Sequence, residues 1–273
     1  MTETRPEPSF AAVDTTPADF RAMMVNYLNR LAVVPAIQQI RHIGRTAMHI
    51  GEGDRLLDVG CGLGEEAREL ARLVGATGEV TAVDLSKALI AEAQERDNGA
   101  GVRYVVGDIN SLDFTDGAFN AVRSERVIQH VPDPDAAIAE LVRVTAPGGR
   151  VCVIDTDWDS FLMDGVPAAY LESLTQLAVD KGIVLGPAGR LLRGQFVRAG
   201  LTAVTAEPVA IPITDRQTAE NFHPAFIRQP LEQLLKASES LLTAWFGALD
   251  DAFARDEFLA VLTIWVVAGT KPA

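Results

Sequence analysis

The sequence predicts an α/β protein: a doubly wound, mostly parallel, seven-stranded sheet with N-terminal helices and a helical cap. Three observations carry that expectation. Short β-branched runs alternate with amphipathic stretches between residues 55 and 156, the rhythm of a parallel sheet covered by helices on both faces. A glycine-rich loop follows the first of these runs and opens a helix, in LLDVGCGLGEEAREL. Two later runs, TAVTAEPVAIPIT and FLAVLTIWVVAGT, bring the number of strands to seven.

Residues 1–15 are polar and Pro-punctuated, which predicts a flexible tail. Thr16, Pro17 and Asp19 form a helix-start signature: a capping hydroxyl, a first-turn proline and a capping-box acid. Phe20, Met23, Met24, Tyr27, Leu28 and Leu31 follow at helical spacing, and Ile37, Ile40 and Ile43 mark a second helix reaching Ile50. Residues 16–50 therefore read as an N-terminal helical lid before the first strand, and 51–273 as the main domain.

Within that domain RLLDVG, EVTAVDL, VRYVVGD, AFNAVRS and RVCVIDT are the first five strands. EEARELARLVG, KALIAEAQER and DAAIAELVRVT are helices among them. The rhythm breaks after Thr156. Residues 157–186 read as irregular and partly helical, GRLLRGQFVRAG as a helix stopped by Gly200, and 215–256 as helical. The segments 157–186 and 215–256 are expected to form the cap.

Composition limits the functions available. A chain of 273 residues with net charge −13 and pI near 4.7 repels a phosphate backbone, so no nucleic-acid partner is expected. Only Cys61 and Cys152 are present, and no apolar stretch of membrane length occurs; the expectation is a reduced cytoplasmic protein without a membrane span. The histidines at 42, 49, 130 and 223 make no ligand pair at useful spacing, so no metal is expected.

The loop narrows the ligand. A dinucleotide fold needs G-x-G-x-x-G so that a pyrophosphate rests on the helix start. Here Gly60, Gly62 and Gly64 give G-x-G-x-G, followed by Glu65 and Glu66, poor neighbours for a doubly charged pyrophosphate. Asp84 stands 20 positions beyond Gly64 at the end of an apolar run, where an acid accepts hydrogen bonds from ribose hydroxyls.

LLDVGCGLG, AVDLS, VVGDINSLDF and ELVRVTAPGGRV, in that order and spacing, resemble the successive motifs of the class I S-adenosylmethionine-dependent methyltransferases. The subgroup resembled is the one acting on small molecules in quinone and natural-product biosynthesis. The resemblance covers residues 50–156, with weaker support from GPAGRLLRGQFVRAGL at 186–201, and implies a Rossmann-like fold with S-adenosylmethionine as cofactor. It implies Gly60, Gly62 and Gly64 along the methionine end and Asp84 on the ribose. Leu85 would lie against adenine, and Asp108 and the amide of Ile109 on its polar edge. Ser124 and Glu125 would lie near the methionine amino group and the reacting methyl, and Tyr27 would close over that end. The chain departs from the family at Asn120, where Phe-Asp is usual, and at Thr145 before the Pro-Gly-Gly turn, where Leu is usual.

The reaction expected is in-line methyl transfer to a small, largely apolar acceptor, with Phe161, Phe222, Phe226, Trp245 and Phe246 as a pocket-lining set or ordinary helix core. Candidate bases are His130, Glu125 and Asp157. Asp58 reads as a strand-end acid that orders the loop. Two rivals stand beside this reading: a cofactor-binding cyclase or isomerase that transfers no methyl, and an NAD-type oxidoreductase. The N-terminal helices suit a homodimer interface as readily as a lid.

Overall fold

The computed structural model describes residues 10–15, 18–181 and 186–273. The capping pair Thr16–Pro17 and most of the anticipated tail lie outside the described residues. The end of that tail, Phe10–Thr15, is a 3-10 turn with Val13 buried, so it is packed where the composition suggested a flexible segment. The elements in order are α1 (Ala18–Ala32), α2 (Pro35–Met48), β1 (Arg55–Val59), α3 (Glu65–Val74), β2 (Glu79–Asp84), α4 (Lys87–Glu95), β3 (Arg103–Val106) and β4 (Phe119–Glu125). There follow α5 (Pro134–Val144), β5 (Thr145–Asp164), α6 (Ala168–Asp180), α7 (Ala188–Arg198), β6 (Thr202–Ile213), α8 (Arg216–Phe222), α9 (Arg228–Leu235), α10 (Glu239–Ala254) and β7 (Leu259–Thr270).

The chain divides into two compact units. The sheet unit takes Gln38–Thr156, Pro187–Val209 and Ile264–Ala273. The sheet order is β3-β2-β1-β4-β5-β7-β6. Strands β3, β2, β1, β4 and β5 pair in parallel, with Leu57 opposite both Thr81 and Val122. Strand β7 runs against β6: Thr202 Oγ donates to the Thr270 carbonyl and Thr205 Oγ to that of Ala268, so the register climbs one strand and descends the other. Chain order reverses between β1 and β4, which places the ligand crevice at the carboxyl ends of those strands.

Burial explains why these runs are strands. Leu57, Val59, Val122, Val151 and Val153 alternate with residues facing the opposite layer, and pack with Ile138 and Leu141 of α5 and Leu192 and Phe196 of α7. On the other face α2 approaches closely at Gly44, where a Cβ would stand 2.9 Å from Ile154 Cδ1. Asn120 uses its side-chain oxygen to accept from the Arg55 amide, and Thr145 donates to the Leu141 carbonyl. Both departures from the family motif thus act as local ties within the sheet.

The helical unit takes the described residues of Met1–Ile37 with Asp157–Gly186 and Ala210–Thr263. Strand β5 continues to Asp164, whereas the sequence suggested irregular chain from 157. The polar run Asp155-Thr156-Asp157 looked like a strand end, yet all three are buried and the strand goes on beside β7, where the Ser160 hydroxyl also accepts from Thr263 N at 2.8 Å. Phe222, Phe226 and Trp245 are buried in this unit's own core, and the Trp245 indole donates to the Ala225 carbonyl at 2.9 Å. They are core side chains. Among the described residues no helix is long and apolar enough to cross a membrane.

Replacing Trp245 with Ala is expected to cost about 3–5 kcal/mol. Urea titration should show the loss, and limited proteolysis should cut first within 210–263.

Candidate active site

The site begins where β1 ends. Gly60, Gly62 and Gly64 adopt φ of +78°, +53° and +72°, a left-handed region that disfavours side chains. The amides of Gly60 and Cys61 donate to the Val83 carbonyl at 2.7 and 2.9 Å. A Cβ on Gly60 would stand 2.1 Å from Val127 Cγ2, and one on Gly64 2.7 Å from the Tyr104 hydroxyl. At these two positions glycine is therefore required by the protein's own packing, where the sequence suggested close approach by a ligand.

Asp84 latches the loop from β2. One carboxylate oxygen accepts from Gly62 N at 2.8 Å and the other from Ser86 N at 2.9 Å. A carboxylate offers about four acceptor sites, so the two ribose hydroxyls of a nucleoside fit the same group. Beside it Leu85 and Val106 are 47% and 43% exposed, apolar surface of the kind a purine ring covers. Asp108 accepts from the amide and the side-chain nitrogen of Asn110 at 2.9 and 2.8 Å, so it orders its own turn and caps no helix. Ile109 is buried next to it. This half of the site fits the adenosine of S-adenosylmethionine.

The other half is a chain of charges. Asp58 on β1 pairs with Arg123 at 2.9 Å, Arg123 with Glu125 at 2.6 Å, Glu125 with Arg41 of α2 at 3.0 Å, and Arg41 with Glu65 at 3.2 Å. Arg126 approaches Glu125 at 3.5 Å. Burial alone would raise the Glu125 pKa, but Arg41, Arg123 and Arg126 hold it well below the ordinary carboxylate range. Such a group takes up a proton very weakly, which corrects its assignment as a base. One Asp58 oxygen pairs with Arg123 and the other is buried without a hydrogen-bond partner, so the carboxylate ties no loop amide; its burial outweighs the guanidinium and pushes its pKa to about 6. Glu65 and Glu66 are engaged by Arg41 and Arg45, so the acids after the glycines answer α2 and are not aimed at a ligand.

Of the other predicted residues, Ser124 is fully buried and donates to the Val59 carbonyl at 2.9 Å, leaving only its main chain for a ligand. His130 lies on a 3-10 turn (Ile128–His130); although part of it is exposed, burial and the Arg126 charge lower its pKa to about 4. It is neutral at physiological pH and a weak base. Tyr27 and Asp157 belong to the helical unit. The structure brings together the three glycines, Asp84, Leu85 and Glu125, with Asp108 and Ile109 at the end of β3.

Two groups escaped the sequence reading. Asp155 is wholly buried at the end of the hydrophobic part of β5 and accepts from Gln129 N at 3.1 Å and Thr156 N at 2.8 Å. Burial raises its pKa to about 7 against those amides. Its signal was an acid directly after VCVI, the position Asp84 holds after EVTAV. Arg126 is the second group; nothing in a run of polar residues marked it.

Fold and site together define a class I S-adenosylmethionine-dependent methyltransferase. Residues 57–153 match the family model described as a methyltransferase domain. The chain is 30% identical over 218 residues to demethylmenaquinone methyltransferase of Mycobacterium marinum, covering 72% of this chain and 90% of that one. It is 32% identical over 249 residues to an uncharacterized 37.1 kDa protein of transposon TN4556 from Streptomyces fradiae, covering 91% and 72%. The solved [4+2]-cyclase SpnF shares the fold at TM-score 0.57 and 19% identity, covering 98% of this chain and 97% of that one. This protein belongs to the class I methyltransferases, and its cofactor is S-adenosylmethionine. The NAD alternative is thereby removed.

Glu125→Gln strands three guanidinium groups around a neutral amide and should cost about 3–5 kcal/mol in urea unfolding. Gly60→Ala combines a disfavoured φ with the Val127 clash, an expected loss of about 2–4 kcal/mol by the same measurement. Asp155 ionises near 3.8 when unfolded and near 7 when folded, so the folded state holds the extra proton between those values. Its contribution is full below pH 3.8 and declines as pH rises through 7. Urea midpoints from pH 5 to 7.5 should therefore fall less steeply in Asp155→Asn.

Proposed function

We propose that this methyltransferase acts on a small, largely apolar metabolite, such as a quinone precursor or natural-product intermediate, by in-line displacement. The observation that carries the cofactor half is the Asp84 latch beside the bare Leu85. The acceptor half is supported by the similarity to the demethylmenaquinone methyltransferase of Mycobacterium marinum.

When bound, the cofactor supplies a methyl carbon on a sulfonium, a good leaving group. The chain's task is alignment and exclusion of water. Asp84 takes the ribose hydroxyls, Leu85 lies against the adenine, and Asp108 and the Ile109 amide meet its polar edge. The glycine loop and the main chain at Ser124 border the methionine end, and Glu125, permanently charged, faces its ammonium. A cytoplasmic location without a nucleic-acid partner accompanies this reading, in keeping with the net charge of −13.

Asp84→Ala should weaken S-adenosylmethionine binding at least about tenfold in calorimetry, the loss of two hydrogen bonds to a charged acceptor; unchanged affinity overturns the site. Incubation with hydroquinones and S-adenosylmethionine should release S-adenosylhomocysteine. A product formed without that release would instead place the chain with the cyclases.

A further inference from the structure

Arg126 is the one residue in this region that breaks local rules twice. It follows β4 with φ of +55°, a left-handed conformation that a long side chain adopts at a cost of about 1 kcal/mol or more. Its amide donates to the Ile154 carbonyl at 2.7 Å, which fixes the turn between β4 and β5. Its side chain is only 16% exposed, yet Nε is buried without a hydrogen-bond partner. The contact with Glu125 at 3.5 Å is long for a charged pair, and Glu125 already has Arg41 and Arg123 closer. A guanidinium has five N–H donors, and leaving a buried one unmatched costs about 1–3 kcal/mol. Strain and an unmatched donor at one residue mark a group whose partner arrives from outside.

Its place agrees. The next residue, Val127, fills the space over Gly60, so Arg126 sits at the carboxyl end of β4 beside the glycine loop. The ionisable groups that feel its charge are Glu125, Asp155 and His130. Glu125 is saturated by arginines, and His130 is a weak base. Asp155 is wholly buried and already accepts from the amides of Gln129 and Thr156, so among these neighbours the group left with an unmatched polar atom beside the loop is a cation.

We propose that Arg126 binds the methyl acceptor through an acidic oxygen, an enol or phenol, and stabilises that oxygen as its anion. This rests on the methyltransferase reading. The acceptor's proton leaves to solvent, and the guanidinium holds the resulting charge by planar, charge-assisted hydrogen bonds. The anion then supplies the electron pair of the new bond to the methyl carbon, from oxygen or from the carbon conjugated with it, as the methyl–sulfur bond breaks and its pair stays with the departing S-adenosylhomocysteine. Attack from carbon is followed by loss of that carbon's proton to solvent. An acceptor of this kind needs no strong general base, and the site recognises acidity of the oxygen as well as shape.

The test uses the full-length protein saturated with S-adenosylhomocysteine and two probe pairs: 4-nitrophenol with 4-nitroanisole, and 2-naphthol with 2-methoxynaphthalene. Arg126→Gly relieves the left-handed strain while removing the guanidinium, so it should fold at least as well as the parent. Arg126→Lys keeps charge without the fork. Each phenol should bind the parent more tightly than its ether, and bound 4-nitrophenol should show the phenolate absorption below its solution pKa. In Arg126→Gly phenol affinity should fall roughly 10- to 150-fold, the equivalent of one charged hydrogen-bonding interaction. The absorption shift should vanish there and partly return in Arg126→Lys, with S-adenosylmethionine affinity unchanged in both. Equal binding of phenol and ether, an unaltered phenol affinity in Arg126→Gly, or no phenol binding while S-adenosylmethionine still binds would each overturn the proposal. Failure of S-adenosylmethionine to bind the parent would overturn the methyltransferase reading instead.

Discussion

Arg123 is the constraint around which the sheet unit is arranged. It lies in the middle of the parallel sheet with its side chain 3% exposed, and an arginine there demands compensation on both sides. Asp58 on β1 provides one carboxylate and Glu125 at the end of β4 the other. Because Glu125 is shared with Arg41, the same demand docks α2 against the carboxyl end of the strands. Residues of α2, β1, β4 and α3 are thereby held in one chain of ion pairs, and removing Arg123 or Glu125 leaves buried partners unmatched.

A second device works from β2. Asp84 grips the glycine loop at Gly62 and the following turn at Ser86, while the Val83 carbonyl takes the amides of Gly60 and Cys61. The loop is thus shaped before any ligand arrives, which lowers the ordering cost of binding. The two devices have different electrostatic characters. The β2 side offers an accepting carboxylate and bare apolar surface; the β4 side offers fixed charges, most of them mutually paired, with Arg126 Nε and one Asp58 oxygen left buried without a hydrogen-bond partner.

Much of this was legible in the sequence because it is local. Alternation and helical periodicity gave the strands and helices, and the spacing of Gly60, Gly62, Gly64 and Asp84 gave the loop and its latch. Reading failed where polar residues are buried. The run Asp155-Thr156-Asp157 looked like a strand end because its surroundings, from Gln129 N in the sheet unit to β7 beside the continued strand, are distant in sequence. The aromatic set was open between pocket and helix core, since periodicity cannot tell a helix's buried face from a ligand-facing one, and Phe222, Phe226 and Trp245 are core.

The sequence by itself determined the α/β architecture, the cofactor loop and the family, since each depends on residue types at short, fixed spacings. Only the tertiary structure decided what the charged residues do. It showed Glu125 to be a clamped anion and no base, Glu65 and Glu66 to answer α2, Asp155 to be a buried acid, and Arg126 to hold an unmatched donor. The reason is physical: a charge takes its pKa and its role from burial and from partners many residues away, and neither is written in the chain around it.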